Sequence, residues 1–276
     1  TDTHLWNSCM AAPGKSLDLF SPRSPDEYRN GTRSETGSAL LKGIPAAAAA
    51  PGVRPVLAVP RELWIALHFP NLPFEVLRIA GIVPEQDCRV PLAVVESVGQ
   101  QRVMACNSAA LSAGVTAGMG INAAYALARR LRIHARQPEA ERCLLERLAG
   151  WAGKFTPRVS LELPDALLLE VKGSRRLFGG LAALVEQVLA GVREQGVTPW
   201  IALAPTPRAA LWFARSGERV SITAVSDLPG LLARVPVAAL RWPDHVVALL
   251  ASMGVHAVGD CLRLPRDGFA RRVGPE

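Results

Sequence analysis

Residues 159–171, VSLELPDALLLEV, constrain the fold more than any other stretch. Two runs of strand length flank the tight turn Leu163-Pro164-Asp165, so the chain contains an antiparallel hairpin. The hairpin is otherwise apolar at its tip, yet one carboxylate, Asp165, sits there. A basic step, Gly173-Ser174-Arg175-Arg176, and a helix start follow. Around this hairpin, strands alternate with helices. LWIALHF reads as a buried strand, and LPFEVLRIAG as a helix ended by Gly81. PLAVVES and RVMACN are two strands joined by the turn-forming VGQQ. INAAYALARRL is helical and RIHAR a strand. EAERCLLERLAGWAGKF places Leu144, Leu145, Leu148 and Trp151 at helical spacing with charges opposite. GGLAALVEQVLAGVREQG is a second amphipathic helix, TPWIALAP a strand, and PRAALWFARSG a helix with Pro early and Gly past its end. The fold class is therefore α+β, a sheet layered with helices.

Three regions follow from the pattern. Residues 1–60 are polar, then Ala- and Pro-rich, with no sustained period, and read as a disordered low-complexity extension. Residues 61–225 carry the strands and helices. Residues 226–276 hold no convincing strand and read as a small helical module that stops abruptly.

The chain has a net charge of +7, which favours a polyanionic partner such as nucleic acid, although Arg- and Ala-rich chains also drift basic without binding anything. No apolar run reaches the roughly 18–20 residues of a membrane span, so no membrane role is expected. Cys9, Cys88, Cys106, Cys143 and Cys261 form no CxxC pair and are odd in number, which argues against a disulfide framework and a zinc ribbon. A reducing cytoplasm fits best, and no export pattern opens the chain.

Four features bear on chemistry. Two-metal phosphoryl transfer needs clustered carboxylates, because Mg²⁺ takes hard oxygen ligands. The hairpin offers Asp165 with Ala166 beside it, and the first strand offers Ala66, Leu67 and His68, so a lone carboxylate remains. Asp165 also fits plain turn chemistry. Among the histidines, His68 lies on a buried strand and reads as a hydrogen-bonded core residue rather than a base. GSRRLFGG, with Lys172 before it, either offers arginines and a helix start to phosphate or is a capped helix with a solvated basic beginning. DHVVALLASM, then GVH, then AVGDCLRL has the form of a helix-hairpin-helix. Such a hairpin would present backbone N–H groups near Gly254, Val255 and Gly259 to a phosphate; a generic helical corner is the plain alternative.

SRRLFGG after a hairpin, ACNSAALSAGVTAGM after two strands and LASMGVHAVGDCLRLP near the end resemble, in that order, the Y-family translesion DNA polymerases. The resemblance runs from Leu63 to Glu276. It implies palm, fingers and a helical thumb, without the little finger that normally follows. The motif variants are most similar to the ImuB-type branch, polymerase-like subunits of a bacterial inducible mutagenesis complex. Active relatives carry an Asp at the position of Ala66 and an Asp-Glu pair at Asp165-Ala166, whereas Glu75 still matches a family Glu. Their fingers supply a Tyr and an Arg to the triphosphate where this chain has Ser108 and Leu111. An Asn-Lys and a later Lys correspond to Thr206, Pro207 and Leu211.

The resemblance thus implies a non-catalytic DNA-binding adaptor in error-prone translesion synthesis, nucleoid-associated, with no cofactor. Its DNA surface would involve Lys172, Arg175, Arg176 and the Gly254 hairpin. Its partners would be primer–template DNA, a RecA-like accessory protein, the sliding clamp and an error-prone C-family polymerase. Two alternatives stay open: a weak polymerase using Asp165 with Mg²⁺ or Mn²⁺, and a protein-interaction scaffold without DNA affinity.

Overall fold

In the computed structural model, β1 (Trp64–His68) is buried along its whole length because helices cover both faces of its sheet. The structure describes residues 61–84, 89–96, 102–265 and Phe269. The expected extension at 1–60 and the turn at 98–101 lie outside those residues.

β1 sits centrally in a four-stranded antiparallel sheet of order β5-β6-β1-β7, with β5 Val159–Glu162, β6 Ala166–Glu170 and β7 Trp200–Ala204. The period of two splits each strand between two cores. Ile65, Leu67, Leu167, Leu169, Ile201 and Leu203 face α1 (Leu72–Ile79), α4 (Pro138–Ala152) and α5 (Leu181–Glu194). Trp64, Ala66, Ala166, Leu168, Ala202 and Ala204 face α6 (Pro207–Arg215). Four of those six are alanines, and α6 answers with Ala209, Ala210 and Ala214 around Phe213. Small side chains on both sides let the helix lie close on the sheet.

A second sheet, order β3-β2-β4, takes β2 (Leu92–Val95) antiparallel to β3 (Ala105–Cys106) and parallel to β4 (Arg132–Ala135). The sequence pattern led to one sheet; the structure has two, since a strand's own residues do not name its partner. Two short helices, α2 (Ser108–Ser112) and α3 (Ile121–Leu127), pack on this sheet. Asn107 caps α2: its Oδ1 accepts from the Ala110 and Leu92 N–H groups. α1 joins the two sheets. Leu72 and Val76 enter the first core, while Phe74 and Leu77 pack with Leu92 and Val94.

After α6 come α7 (Leu228–Leu232), a 3-10 turn Val237–Leu240, α8 (Asp244–Ser252) and the single-turn α9 (Val258–Cys261). Leu228, Val235 and Ala239 share the core of α6, so these helices dock on the first sheet's α6 side. Val237, Val246, Leu250 and Val255 form a small core of their own.

Glu75 ties α1 to the loop before β7: it is 3% exposed and its Oε1 accepts the Thr198 N–H at 2.8 Å. Oε2 has no hydrogen-bond partner. Burial pushes its pKa up to about 7, against the pull of the Thr198 bond and Arg78. The folded protein therefore holds this proton more tightly than the unfolded chain. Stability from this group falls as pH rises from 4.5 to about 7, by about 3 kcal/mol in all, and is level above. Urea unfolding between pH 5 and pH 8 should show that loss, and Glu75→Gln should remove the slope while keeping the acceptor for Thr198.

Candidate functional site

The hairpin tip is fastened to the end of β1 before any side chain acts. Ala166 pairs with His68 in the ladder, and the Phe69 N–H donates to the Asp165 carbonyl at 2.8 Å. The Asp165 carboxylate is therefore delivered beside His68, the last residue of β1. His68 Nε2 lies 3.3 Å from Asp165 Oδ2. The Arg241 guanidinium, from just after the 3-10 turn, donates to the same oxygen. Arg215, the last residue of α6, brings Nη2 to 3.9 Å from Oδ1. The Trp200 ring meets the His68 ring edge-on, centroids 5.7 Å apart.

These groups are largely withdrawn from water. The side chains of Asp165, His68 and Arg215 are 14%, 8% and 10% exposed; that of Arg241 is 38% exposed. Burial works to raise the Asp165 pKa, but hydrogen bonding and attraction from His68 and Arg241 outweigh it, so the carboxyl titrates below its ordinary value. Burial, then repulsion from Arg241, lower the Arg215 pKa, with Asp165 and Glu162 opposing. Arg241 adopts a left-handed backbone, φ 54°, at this junction. A non-glycine residue accepts that conformation only where its surroundings fix it.

The residues present do not fit a pair of divalent metal ions. Ala66 and Ala166 are fully buried in the apolar layer under α6. Among the described residues, no three His, Cys, Asp or Glu side chains converge as a metal site would require. Glu162 accepts from the Ser160 hydroxyl. Glu170, at the far end of β6, accepts from the Leu63 and Lys172 N–H groups.

The triphosphate-clamp positions differ in fate. Ser108 and Leu111 lie one turn apart on α2 and are exposed, Leu111 at 50%. At the positions that the resemblance assigns to the clamp they present a hydroxyl and an isobutyl group, neither of which is a cation. Thr206 caps α6, its Oγ1 accepting from the Ala209 N–H. Leu211 is placed in the core between α6 and the sheet, 6% exposed, so this position does not face the hairpin tip. The residue one turn on, Arg215, does.

The basic step occupies the opposite end of β6. Asp165 precedes that strand and Lys172 follows it, a separation of roughly 20 Å at ~3.3 Å per residue. Arg175, Arg176, Lys172, Arg61 and Arg158 line an open cleft of about 380 Å³ there, with Glu170. Arg158 pairs with Glu62 at 2.9 Å. Arg175 and Arg176 form one turn of 3-10 helix, not the opening of α5; Gly180 precedes that helix. Next to them Leu177 is 84% exposed.

The Gly254 turn departs from the phosphate-binding picture. Gly254 has φ +74°, which a glycine adopts freely. Its N–H donates to Ala251, that of Val255 to Leu250, that of Val258 to Val235 and that of Gly259 to Ala233. The His256 and Ala257 N–H groups point to Asp260 Oδ2, at 3.4 and 3.1 Å. Every amide from 254 to 259 is thus already donated, those of His256 and Ala257 to a carboxylate. Val255 is buried in the small core. Gly259 lets α9 lie against Ala233, whose carbonyl oxygen would be 2.8 Å from an added Cβ. Val255 and Gly259 therefore serve packing.

Residues 87–215 match the model of the impB/mucB/samB family. Over 137 residues, half of the chain, it is 37% identical to Protein ImuB of Caulobacter vibrioides, of which the match covers 30%. Over 124 residues it is 28% identical to DNA polymerase IV of Moorella thermoacetica, covering 31% of that protein. The chain thus matches about a third of the length of these relatives. Its fold is similar to the crystal structure of DinB from Sulfolobus solfataricus, with TM-score 0.59, 17% identity, and coverage of 76% of this chain and 62% of that one. An insertion ternary complex of Dbh DNA polymerase gives TM-score 0.60 at 18% identity, with 77% and 63% covered.

The β5-β6-β1-β7 sheet and the β3-β2-β4 sheet of this chain resemble in fold the palm and fingers of Y-family polymerases. Sequence reasoning found Asp165 and the empty positions beside it but missed Arg215 and Arg241. Arg215 was legible as the residue one turn after Leu211 on the sheet-facing side of α6. Arg241 carried no local signal, since its partner is 76 residues away. Gly259→Ala should destabilise the free protein by about 1–3 kcal/mol through overpacking against Ala233; thermal unfolding without DNA checks it.

Proposed function

We propose that this protein is a polymerase-fold, DNA-binding adaptor of translesion synthesis that does not itself add nucleotides. The observation that carries this reading is the state of Asp165: the one carboxylate at the hairpin tip is met by His68, Arg215 and Arg241, and its neighbours Ala66 and Ala166 are core. Nucleotide addition draws most of its rate from metal ions and cations placed around the reacting phosphates. Ser108 and Leu111 offer no such cation, and Leu211 does not reach the tip.

What supports DNA binding is the net charge of +7, the basic cleft of Arg61, Arg158, Lys172, Arg175 and Arg176, and the likeness to polymerases. Binding through phosphates would be independent of sequence and weakened by salt. The helices after α6 would act as a thumb by their docking on the palm sheet. By resemblance to ImuB, the wider assembly would include a RecA-like protein, the sliding clamp and an error-prone C-family polymerase that performs the chemistry.

Primer extension tests the reading, with protein in excess over a primer–template whose binding is followed by anisotropy in the same tube. Binding without extension in either Mg²⁺ or Mn²⁺ is expected. Extension that vanishes in Asp165→Ala would make the protein a polymerase. Charge reversal of Arg175 and Arg176 should weaken binding across all sequences and lower the salt slope by about one per lost phosphate contact. A wild-type protein that binds no DNA would instead be an interaction scaffold.

A further inference from the structure

We infer that Asp165 is the anchor of a latch that fastens the C-terminal helices to the palm sheet, with arginine guanidinium groups taking the place that metal ions hold in active polymerases. The latch draws on three separate parts of the chain. His68 comes from the end of β1, Arg215 from the end of α6, and Arg241 from the segment between the 3-10 turn and α8. Among the described residues, the Arg241 contact ties the hairpin tip to the helices beyond residue 226 through charge, while Leu228, Val235 and Ala239 dock through the apolar core.

Three observations point to this role. Asp165 is held at both levels, its carbonyl by the Phe69 N–H and its carboxylate by Arg241 and His68, so it is a fixed point and not a mobile turn residue. Arg241 takes a left-handed backbone where it turns toward Asp165, directly before Trp242-Pro243 and α8. The charges also do not balance in favour of a metal. Two guanidinium groups already face Asp165, and Glu162 acts on Arg215 as well, so cations of the protein stand where a divalent ion would have to approach. Such an ion would meet repulsion within a few ångströms and would find one oxygen donor residue where it needs several. Removing Asp165 should then release Arg241 first, because Arg215 keeps the attraction of Glu162, and the first motion freed is that of the segment carrying Arg241.

The latch is a property of the free protein and stands whether or not the cleft holds DNA. Amide hydrogen exchange on the full chain reads it directly, with Asp165→Asn and Arg241→Gln as variants, since both keep the size of the side chain. Exchange across residues 228–262 should rise by about tenfold in each variant while β1 and β6 stay protected. The double variant should be no looser than the looser single one, and Arg241→Lys should recover part of the protection. Unchanged exchange at 228–262 in Asp165→Asn would overturn the latch. So would additive effects in the double variant, or a difference between wild type and variant that arises only when Mg²⁺ or Mn²⁺ is added. A uniform rise that includes β1 and β6 would also overturn it, by making Asp165 a general stability residue.

Discussion

A carboxylate withdrawn from water must be met by cations or hydrogen-bond donors, and the surroundings of Asp165 follow from that requirement. The hairpin register leaves no freedom in where it sits: Ala166 is opposite His68, and the Asp165 carbonyl is bonded to Phe69. In a two-metal enzyme the compensation arrives with the ions. Here His68 and Arg241 meet Oδ2, while Oδ1 accepts no hydrogen bond and has Arg215 at 3.9 Å. Each of these is the terminal residue of an element or lies just past one, so the ends of β1, α6 and the following 3-10 turn are all aimed at one point.

The packing beneath that point has the same character. Ala66, Ala166, Ala202 and Ala204 form a flat layer on which α6 lies close. Carboxylates at positions 66 and 166 would have to be buried in that layer or held out of it by ions. Alanine removes both demands and lets the sheet, α6 and the helices that follow share one apolar core. The fold thus resembles that of the solved polymerases, while positions 66 and 166 are part of its apolar core. The basic cleft lies at the other end of β6, apart from this layer.

Much of this was legible in the residues alone. The hairpin, the central strand Trp64–His68 and the amphipathic helices α4 and α5 follow from periodicity, because local pattern and burial agree there. The division into two sheets was not, because pairing of β2 with β4 is a long-range choice among similar apolar strands. The Asp165 position was found through its neighbours, but its partners Arg215 and Arg241 come from 50 and 76 residues away and look like ordinary surface arginines in sequence. Leu211, which the resemblance sets at the position of a lost lysine, lies in the core under α6, as an apolar residue on the sheet-facing side of a helix does. The Gly254 turn has the glycine and the helices of a phosphate-binding hairpin, but whether its amides are free depends on Asp260, Ala233 and Val235, which no motif specifies.

The account turns on whether Asp165 holds a cation of the protein or a metal ion. Titration of Mn²⁺ into the full chain, read by the electron paramagnetic resonance signal of the free ion, addresses that most directly. Wild type and Asp165→Asn should leave the same free signal at every concentration, because no metal binds at the hairpin tip. A stoichiometric loss of free signal in the wild type that is absent in Asp165→Asn would show a metal at Asp165 and contradict the account.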